Sequence, residues 1–318
     1  MRFVGKYPTL LIAIFSLWLI SIPARAQETG KPAETQPQKR TVSINVIVTD
    51  SSNREVTDLR QEDFSVLEDG KPQAITYFSR EELPVSYGIA VDASGSLRTL
   101  LDLVIETGKG IVAANKPGDE AFVMRFISVD AIKIYQGFTS NKDALAEALD
   151  EIYTEGGFTA VLDAANRSID FLKKYRRNDE GTPRRQAIVM ITDGEDRGSS
   201  LKADALLNRL RGEEVQFFLV GLTKMTKLQG SPEKAMKLLN QIAEASGGRA
   251  FFPKSPAEIP AVLEEIRRDL HTQYVIGYTP TNVTPDGAFR QVKVTVSESP
   301  GRKKLNVITR TGYTAPRP

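Results

Sequence analysis

The chain has 318 residues, with 42 basic side chains against 40 acidic ones, one histidine and no cysteine. The near-neutral balance gives no whole-molecule attraction to nucleic acid or anionic lipid. Missing cysteines exclude disulfides, thiolate metal sites and cysteine nucleophiles, and the lone imidazole, His271, excludes histidine-rich zinc sites, which need two or three.

Residues 1–26 read as a secretory signal. Arg2 and Lys6 form a basic start, Leu10 to Ile22 is almost continuously apolar, and Ala24-Arg25-Ala26 suits cleavage before Gln27. The apolar run is shorter than the ~20 residues of a spanning helix, so cleavage rather than anchoring is expected, with no stable membrane insertion afterwards. Without these residues the balance is 39 basic to 40 acidic. Residues 27–40, polar and proline-bearing, read as a disordered linker.

Residues 41–82 read as strands. Val42, Ile44, Val46 and Val48 alternate with Ser43, Asn45 and Thr49, as on a half-buried strand. Phe64, Val66 and Glu68 continue the period, Glu68-Asp69-Gly70-Lys71 predicts a hairpin turn, and Gln73 to Phe78 predicts one returning strand.

Residues 83–272 change character. Apolar runs at 85–91, 121–127, 187–191, 215–222 and 250–252 alternate with helical patterns at 99–114, 141–152, 160–174, 201–211, 232–245 and 257–270. Several runs are apolar on both faces, as in a mainly parallel sheet covered by helices on both sides. Ile132–Phe138 follows its neighbour too closely for a crossover and predicts an antiparallel edge strand. Gly247-Gly248 predicts a helix C-cap. Residues 273–314 return to alternation, with Tyr274, Ile276 and Tyr278, then Val292, Val294 and Val296, then Leu305, Val307 and Thr309. The expected fold is α/β: a doubly wound, Rossmann-like domain with a mostly parallel sheet over 83–272, inserted in or flanked by a smaller β-sandwich formed by 41–82 and 273–314.

The chemistry gathers where buried runs end in oxygen-bearing side chains. Val85–Val91 delivers Asp92-Ala93-Ser94-Gly95-Ser96, and an extended loop turns the oxygens of Asp92, Ser94 and Ser96 one way. Ala187–Ile191 delivers Thr192-Asp193-Gly194-Glu195-Asp196. Gly156-Gly157-Phe158-Thr159-Ala160 puts a threonine at a helix start. Oxygen-only donors select hard cations, Mg²⁺, Mn²⁺ or Ca²⁺. Few direct carboxylates leave such an ion open to water or to a carboxylate from a partner.

At these residues the sequence resembles the von Willebrand factor A family, whose metal-ion-dependent adhesion site reads D-x-S-x-S, then a distant T, then a distant D. Asp92, Ser94 and Ser96 match the first element, Thr159 the second and Asp193 the third. The resemblance implies direct coordination by Ser94, Ser96 and Thr159, mostly water-mediated contact from Asp92 and Asp193, and Mg²⁺ as the first candidate ion. The flanks, V-T-D-L, E-D-F and E-D-G-K-P-Q before and Y-V-I-G-Y, F-R-Q-V-K-V and R-T-G-Y after, are similar to the bacterial exported "VWFA-related" proteins common in acidobacteria.

Other assignments compete at the same residues. Asp92 and Ser94 suit a helix cap and Asp193 a turn, which describes a metal-free structural module. Glu195, Asp196 and Asp163 read as solvated or supporting carboxylates, with Asp163 one helical turn past Thr159. A metal-dependent hydrolase needs a general base, for which only Glu195 or Asp196 is at hand. His271 reads as a surface residue at a helix end, too remote to activate Ser94 or Ser96. Lys173-Lys174-Tyr175-Arg176-Arg177 with Arg184-Arg185 reads as a helix end and solvated loop rather than an anionic-surface contact. The expected function is non-enzymatic: an exported, periplasmic or secreted adhesion or scaffold module that captures a protein ligand through its Asp or Glu.

Overall fold

The computed structural model describes residues 41–80, 82–175, 184–226, 230–271, 273–297 and 305–317; the expected signal and linker lie outside them. A six-stranded sheet forms the centre, in the order β10 (Arg249–Phe251), β9 (Val215–Gly221), β8 (Arg185–Thr192), β5 (Val85–Asp92), β6 (Glu120–Phe126) and β7 (Lys133–Thr139). All neighbours pair in parallel except β7, which lies antiparallel to β6 at the edge, as its short connection predicts.

Alternation along β5 shows why these runs are apolar on both faces. Tyr87, Ile89 and Val91 join a core with α1 (Leu101–Ala113), α2 (Lys142–Asp150) and α6 (Ile259–His271). Ala90 faces the other core, with α3 (Val161–Lys174), α4 (Ala203–Leu210) and α5 (Pro232–Ser246). Helices on both sheet faces remove both from water. Gly247 ends α5 with a left-handed φ of 75°, and Gly248 N–H returns to the Ala243 carbonyl at 2.9 Å.

The first helix begins later than its periodicity predicts. Gly95–Leu100 forms a 3-10 turn before α1, opened by the Leu97 N–H to Ser94 carbonyl bond at 3.0 Å. Backbone at 94–97 is bent by the loop it belongs to, and the α-helix starts once that constraint ends.

The outer segments build two antiparallel sheets around one core. One is β13 (Asn306–Ile308), β1 (Val42–Thr49), β11 (Tyr274–Tyr278) and β4 (Ile75–Ser79); the other is β14 (Gly312–Thr314), β12 (Phe289–Val296), β2 (Phe64–Glu68) and β3 (Lys71–Gln73). Val42, Ile44, Val46 and Val48 meet Phe64, Val66, Val292 and Val294 between them. Asp69 and Gly70, with φ of 48° and 78°, make the predicted hairpin turn.

The single strand expected over Gln73–Phe78 is instead two. The chain pairs with β2 through Gln73, changes sheets at Ala74, and pairs with β11 from Ile75. Buried Gln73 is fixed by Thr281, whose N–H it accepts and whose hydroxyl its amide meets, both at 3.0 Å. That side-chain anchor holds the corner. Ile47 on β1 points away from the sandwich and into the α/β core, so this strand serves both.

His271 is not a surface residue. It is buried at the end of α6, with Nδ1 2.8 Å from the Arg267 carbonyl and Nε2 2.6 Å from Asp119 Oδ2. Arg185 is also buried and caps the same helix end, donating to the His271 carbonyl at 2.7 Å and the Gln273 carbonyl at 3.2 Å. Arg184 donates to Ser86 Oγ at 2.9 Å and the Gly118 carbonyl at 2.6 Å, and Lys173 pairs with Glu213 at 2.7 Å. These basic residues hold the fold; Arg176 and Arg177 lie outside the described residues.

Candidate metal centre

Three loops meet beyond the C-terminal ends of β5, β6 and β8. Backbone bonds stitch them together before any side chain acts. Ala93 N–H donates to the Phe126 carbonyl at 3.0 Å, Glu155 N–H to the Ala93 carbonyl at 3.1 Å, and Ser94 bridges Glu155 in parallel. Ala160 N–H reaches the Ile127 carbonyl at 2.7 Å. The Thr159 carbonyl accepts the N–H groups of Arg197 and Gly198, each at 2.9 Å. A Cβ on Gly198 would lie 2.1 Å from the Phe158 carbonyl oxygen, so the approach requires glycine.

The side chains of the first and third motifs then converge. Asp92 Oδ1 accepts Ser94 N–H at 3.0 Å, and Oδ2 accepts the Thr192 hydroxyl at 2.6 Å. Thr192 Oγ1 in turn accepts Gly194 N–H at 3.0 Å. Ser94 Oγ lies 3.0 Å from Ser96 Oγ. Asp193 Oδ1 accepts Glu195 N–H at 3.0 Å. Two atoms stand apart. Thr159 Oγ1 and Asp193 Oδ2 are buried and meet no hydrogen bond of ordinary geometry among the described residues. Leaving such a group unsatisfied costs roughly 1–3 kcal/mol, more for a charge.

Electrostatics agree with a site that favours positive charge. Burial, and then the neighbouring Asp193 carboxylate, push Asp92 up to about 7, against the hydrogen bonds from Thr192 and Ser94. Burial also raises Asp193, opposed by the Ser96 hydroxyl and the Glu195 N–H. Among the described residues no group of three or more carboxylates and imidazoles is disposed to hold a metal. The side chains that could hold an ion on these loops are of another kind: three hydroxyls with two carboxylates, a set suited to a hard cation.

The nearby carboxylates have structural duties. Ala160, the N-cap of α3, has no acceptor of its own, and Asp196 Oδ1 takes the Val161 N–H at 2.8 Å in its place. Asp163 turns to the opposite loop and accepts Ser200 N–H at 2.6 Å and Leu201 N–H at 3.2 Å. Glu195 is buried, 3.8 Å from Arg197 Nε. Sequence reasoning overlooked Thr192, although its place beside Asp193 at a strand end was a usable signal. It also overlooked Arg125 and Glu155, for which no local pattern exists. Buried Arg125 on β6 donates to the Tyr153 carbonyl at 2.9 Å and to Glu155 Oε2 at 2.6 Å, and so shapes the loop that leads to Thr159.

The von Willebrand factor type A domain model matches residues 88–266, more than half of the chain. The chain belongs to this family. Domains of this family commonly bind proteins, typically hold a divalent cation at a metal-ion-dependent adhesion site, and are generally not enzymatic. Solved structures similar to this chain include the conserved hypothetical protein BatB from Bacteroides thetaiotaomicron, with 18% identity over 58% of this chain and 98% of that one and a TM-score of 0.45. A von Willebrand factor type A protein from Catenulispora acidiphila has 15% identity over 87% of this chain and 75% of that one, with a TM-score of 0.45. Proximal thread matrix protein 1 from the mussel byssus, with a zinc-occupied MIDAS motif, has 18% identity over 62% of this chain and 48% of that one, with a TM-score of 0.49. No curated protein matches the chain. Among the described residues no helix is long and apolar enough to cross a membrane.

Proposed function

We propose that this protein captures a partner protein through a divalent cation held by Asp92, Ser94, Ser96, Thr159 and Asp193, with Mg²⁺ the first candidate and Mn²⁺ or Ca²⁺ next. The observation that carries this reading is the pair of buried oxygens, Thr159 Oγ1 and Asp193 Oδ2, which meet no hydrogen bond of ordinary geometry among the described residues, with Asp193 next to the Ser96 hydroxyl and the Thr159 loop bridged to Ser94 through Glu155. When bound, the cation supplies an electrophilic point that recognises an Asp or Glu of the partner. The chain's own residues set that point in place. Thr192 and the Ser94 N–H hold the Asp92 carboxylate in one orientation, and the Arg197 and Gly198 amides hold Thr159 by its carbonyl.

A hydrolase reading has less support, because Glu195 faces Arg197 and His271 is engaged with Asp119 at the opposite end of the parallel strands. The proposal includes export by residues 1–26, a role in adhesion or scaffolding outside the cytoplasm, membership of the exported bacterial subgroup, and a sandwich of 41–82 with 273–314 that carries the VWA module at 83–272.

Calorimetric titration with Mg²⁺, Mn²⁺ and Ca²⁺ tests the proposal, repeated with Asp92→Ala and Ser94→Ala. Saturable heat in the wild type, lost in both variants, is the expected result. Absence of heat in the wild type would remove the metal from the function. Co-purification of a partner with and without chelator then tests capture; a partner retained equally well in chelator would move the contact elsewhere.

A further inference from the structure

Among the described residues, five large apolar or aromatic side chains are exposed: Tyr77, Tyr153, Phe158, Val283 and Phe289. Two of the five stand on one short loop, Tyr153 at 50% exposure and Phe158 at 66%. This is the loop whose Glu155 bridges Ser94 and whose next residue after Phe158 is Thr159. Scattered exposed aromatics need no explanation, but two on a loop at a proposed binding centre do.

The loop is held in place rather than free to fold these rings inward. Arg125 bonds the Tyr153 carbonyl and Glu155 from below, with its guanidinium 4.3 Å from the centre of the Tyr153 ring. Arg197 lies over the Phe158 ring at 5.7 Å, while its N–H binds the Thr159 carbonyl. Each ring is therefore braced by a cation that also fixes the loop backbone. A braced aromatic in water loses little further freedom when a partner covers it, which is what makes such residues strong contact points.

We propose that Phe158, with Tyr153 on the same loop, reads the residue next to the partner's metal-binding carboxylate, and that this residue is apolar or aromatic. The partner segment is then an exposed Asp or Glu with a large apolar neighbour. The inference rests on the cation-mediated capture proposed above, and it adds a specificity element that the cation cannot supply. The opposing choice is a basic neighbour directed to Glu195, which lines a cavity of about 450 Å³ with Gly230, Ser231 and Lys234. Glu195 already faces Arg197, and Lys234 opposes a cation there, so the apolar neighbour is favoured.

The test pans the full chain, in Mg²⁺, against a random heptapeptide library with a fixed central Asp, and repeats the panning with Phe158→Ser. Mg²⁺ affinity is measured on both proteins by calorimetry. The expected result is at least tenfold enrichment of Phe, Leu, Ile or Tyr beside the Asp with the wild type and its loss with Phe158→Ser, while Mg²⁺ affinity stays within threefold. Enrichment that survives Phe158→Ser, enrichment of Lys or Arg, or no enrichment despite normal Mg²⁺ binding overturns the specificity proposal and leaves the metal centre standing. No Mg²⁺, Mn²⁺ or Ca²⁺ binding by the wild type overturns both together.

Discussion

Asp119 and His271 are 152 residues apart in the sequence, yet Oδ2 of one lies 2.6 Å from Nε2 of the other. Asp119 also accepts the Val85 N–H at 2.9 Å and the Lys116 N–H at 2.7 Å. One carboxylate thus joins the start of β5, the turn before β6 and the end of α6, where the chain leaves for the sandwich. Burial pushes its pKa up, but the His271 ring and the two amides outweigh this and hold it below the ordinary carboxylate value. A carboxyl with a lowered folded-state pKa stabilises the protein above its unfolded value, and the contribution drains as pH falls through the folded one. Asp119→Asn is expected to lower stability by about 1–3 kcal/mol at pH 7. The gap to wild type should narrow below about pH 4. Urea denaturation at a series of pH values measures it, and a gap independent of pH would show that charge is not the source.

Thr192 binds the Asp92 carboxylate that the sequence pattern singled out, and so stands one step behind the proposed metal donors. Residues in that position commonly set metal affinity by roughly 10–100-fold. Thr192→Val keeps the shape and removes the hydroxyl. Calorimetry with Mg²⁺ should show weakening in that range with an unchanged circular dichroism spectrum. Affinity equal to wild type would leave Asp92 needing no such support.

Metal-free protein should lose stability as pH rises. The Asp92 pKa, raised to about 7 in the folded chain from an ordinary 3.8, means that folding takes up a proton between these values. Stability from this group is therefore highest near pH 4, falls as pH climbs toward 7, and then levels. With chelator present, Asp92→Asn should gain on the wild type at pH 8 and not at pH 4. Saturating Mg²⁺, which competes with the proton, should stabilise the wild type more at pH 8 than at pH 5. Thermal denaturation with and without Mg²⁺ follows both effects, and a pH-independent difference between the two proteins contradicts this assignment.

In the sandwich, buried Glu68 on β2 accepts the hydroxyl of Tyr278 from β11 at 2.7 Å and that of Tyr313 from β14 at 2.8 Å, both on Oε2. The clamp ties the two sheets through a carboxylate. Tyr278→Phe and Tyr313→Phe should each cost about 1–3 kcal/mol. The double variant should cost more than their sum, because the last donor to a buried charge is worth most. Guanidinium denaturation of the three variants forms the cycle, and strict additivity would show that the hydroxyls act independently.

Much of this architecture was legible locally. Apolar runs on both strand faces predicted a covered parallel sheet, and a short connection predicted β7 as the antiparallel edge. The hydroxyl and carboxylate motifs marked Asp92, Ser94, Ser96, Thr159 and Asp193 because each stands where a buried run ends or a helix begins. Periodicity failed where a side chain anchored a bend. Gln73 held by Thr281 breaks a six-residue strand into β3 and β4, and the loop at Ser94 delays α1 to Leu101.

The sequence by itself determined the alternation of buried strands and helices, the types of donor available, and the absence of thiolate chemistry and of multi-histidine metal sites. These follow from side-chain period and composition, which are local properties. Only the tertiary structure decided which carboxylates face the proposed donors and which brace the frame. Asp196 became a cap for a helix whose N-cap residue is alanine, Asp163 a support for the 200–201 loop, and His271 a buried partner of Asp119. The reason is physical: a polar group leaving water takes whichever complementary group the packed chain brings within about 3 Å, and that neighbour is set by strand order and loop closure, not by distance along the sequence.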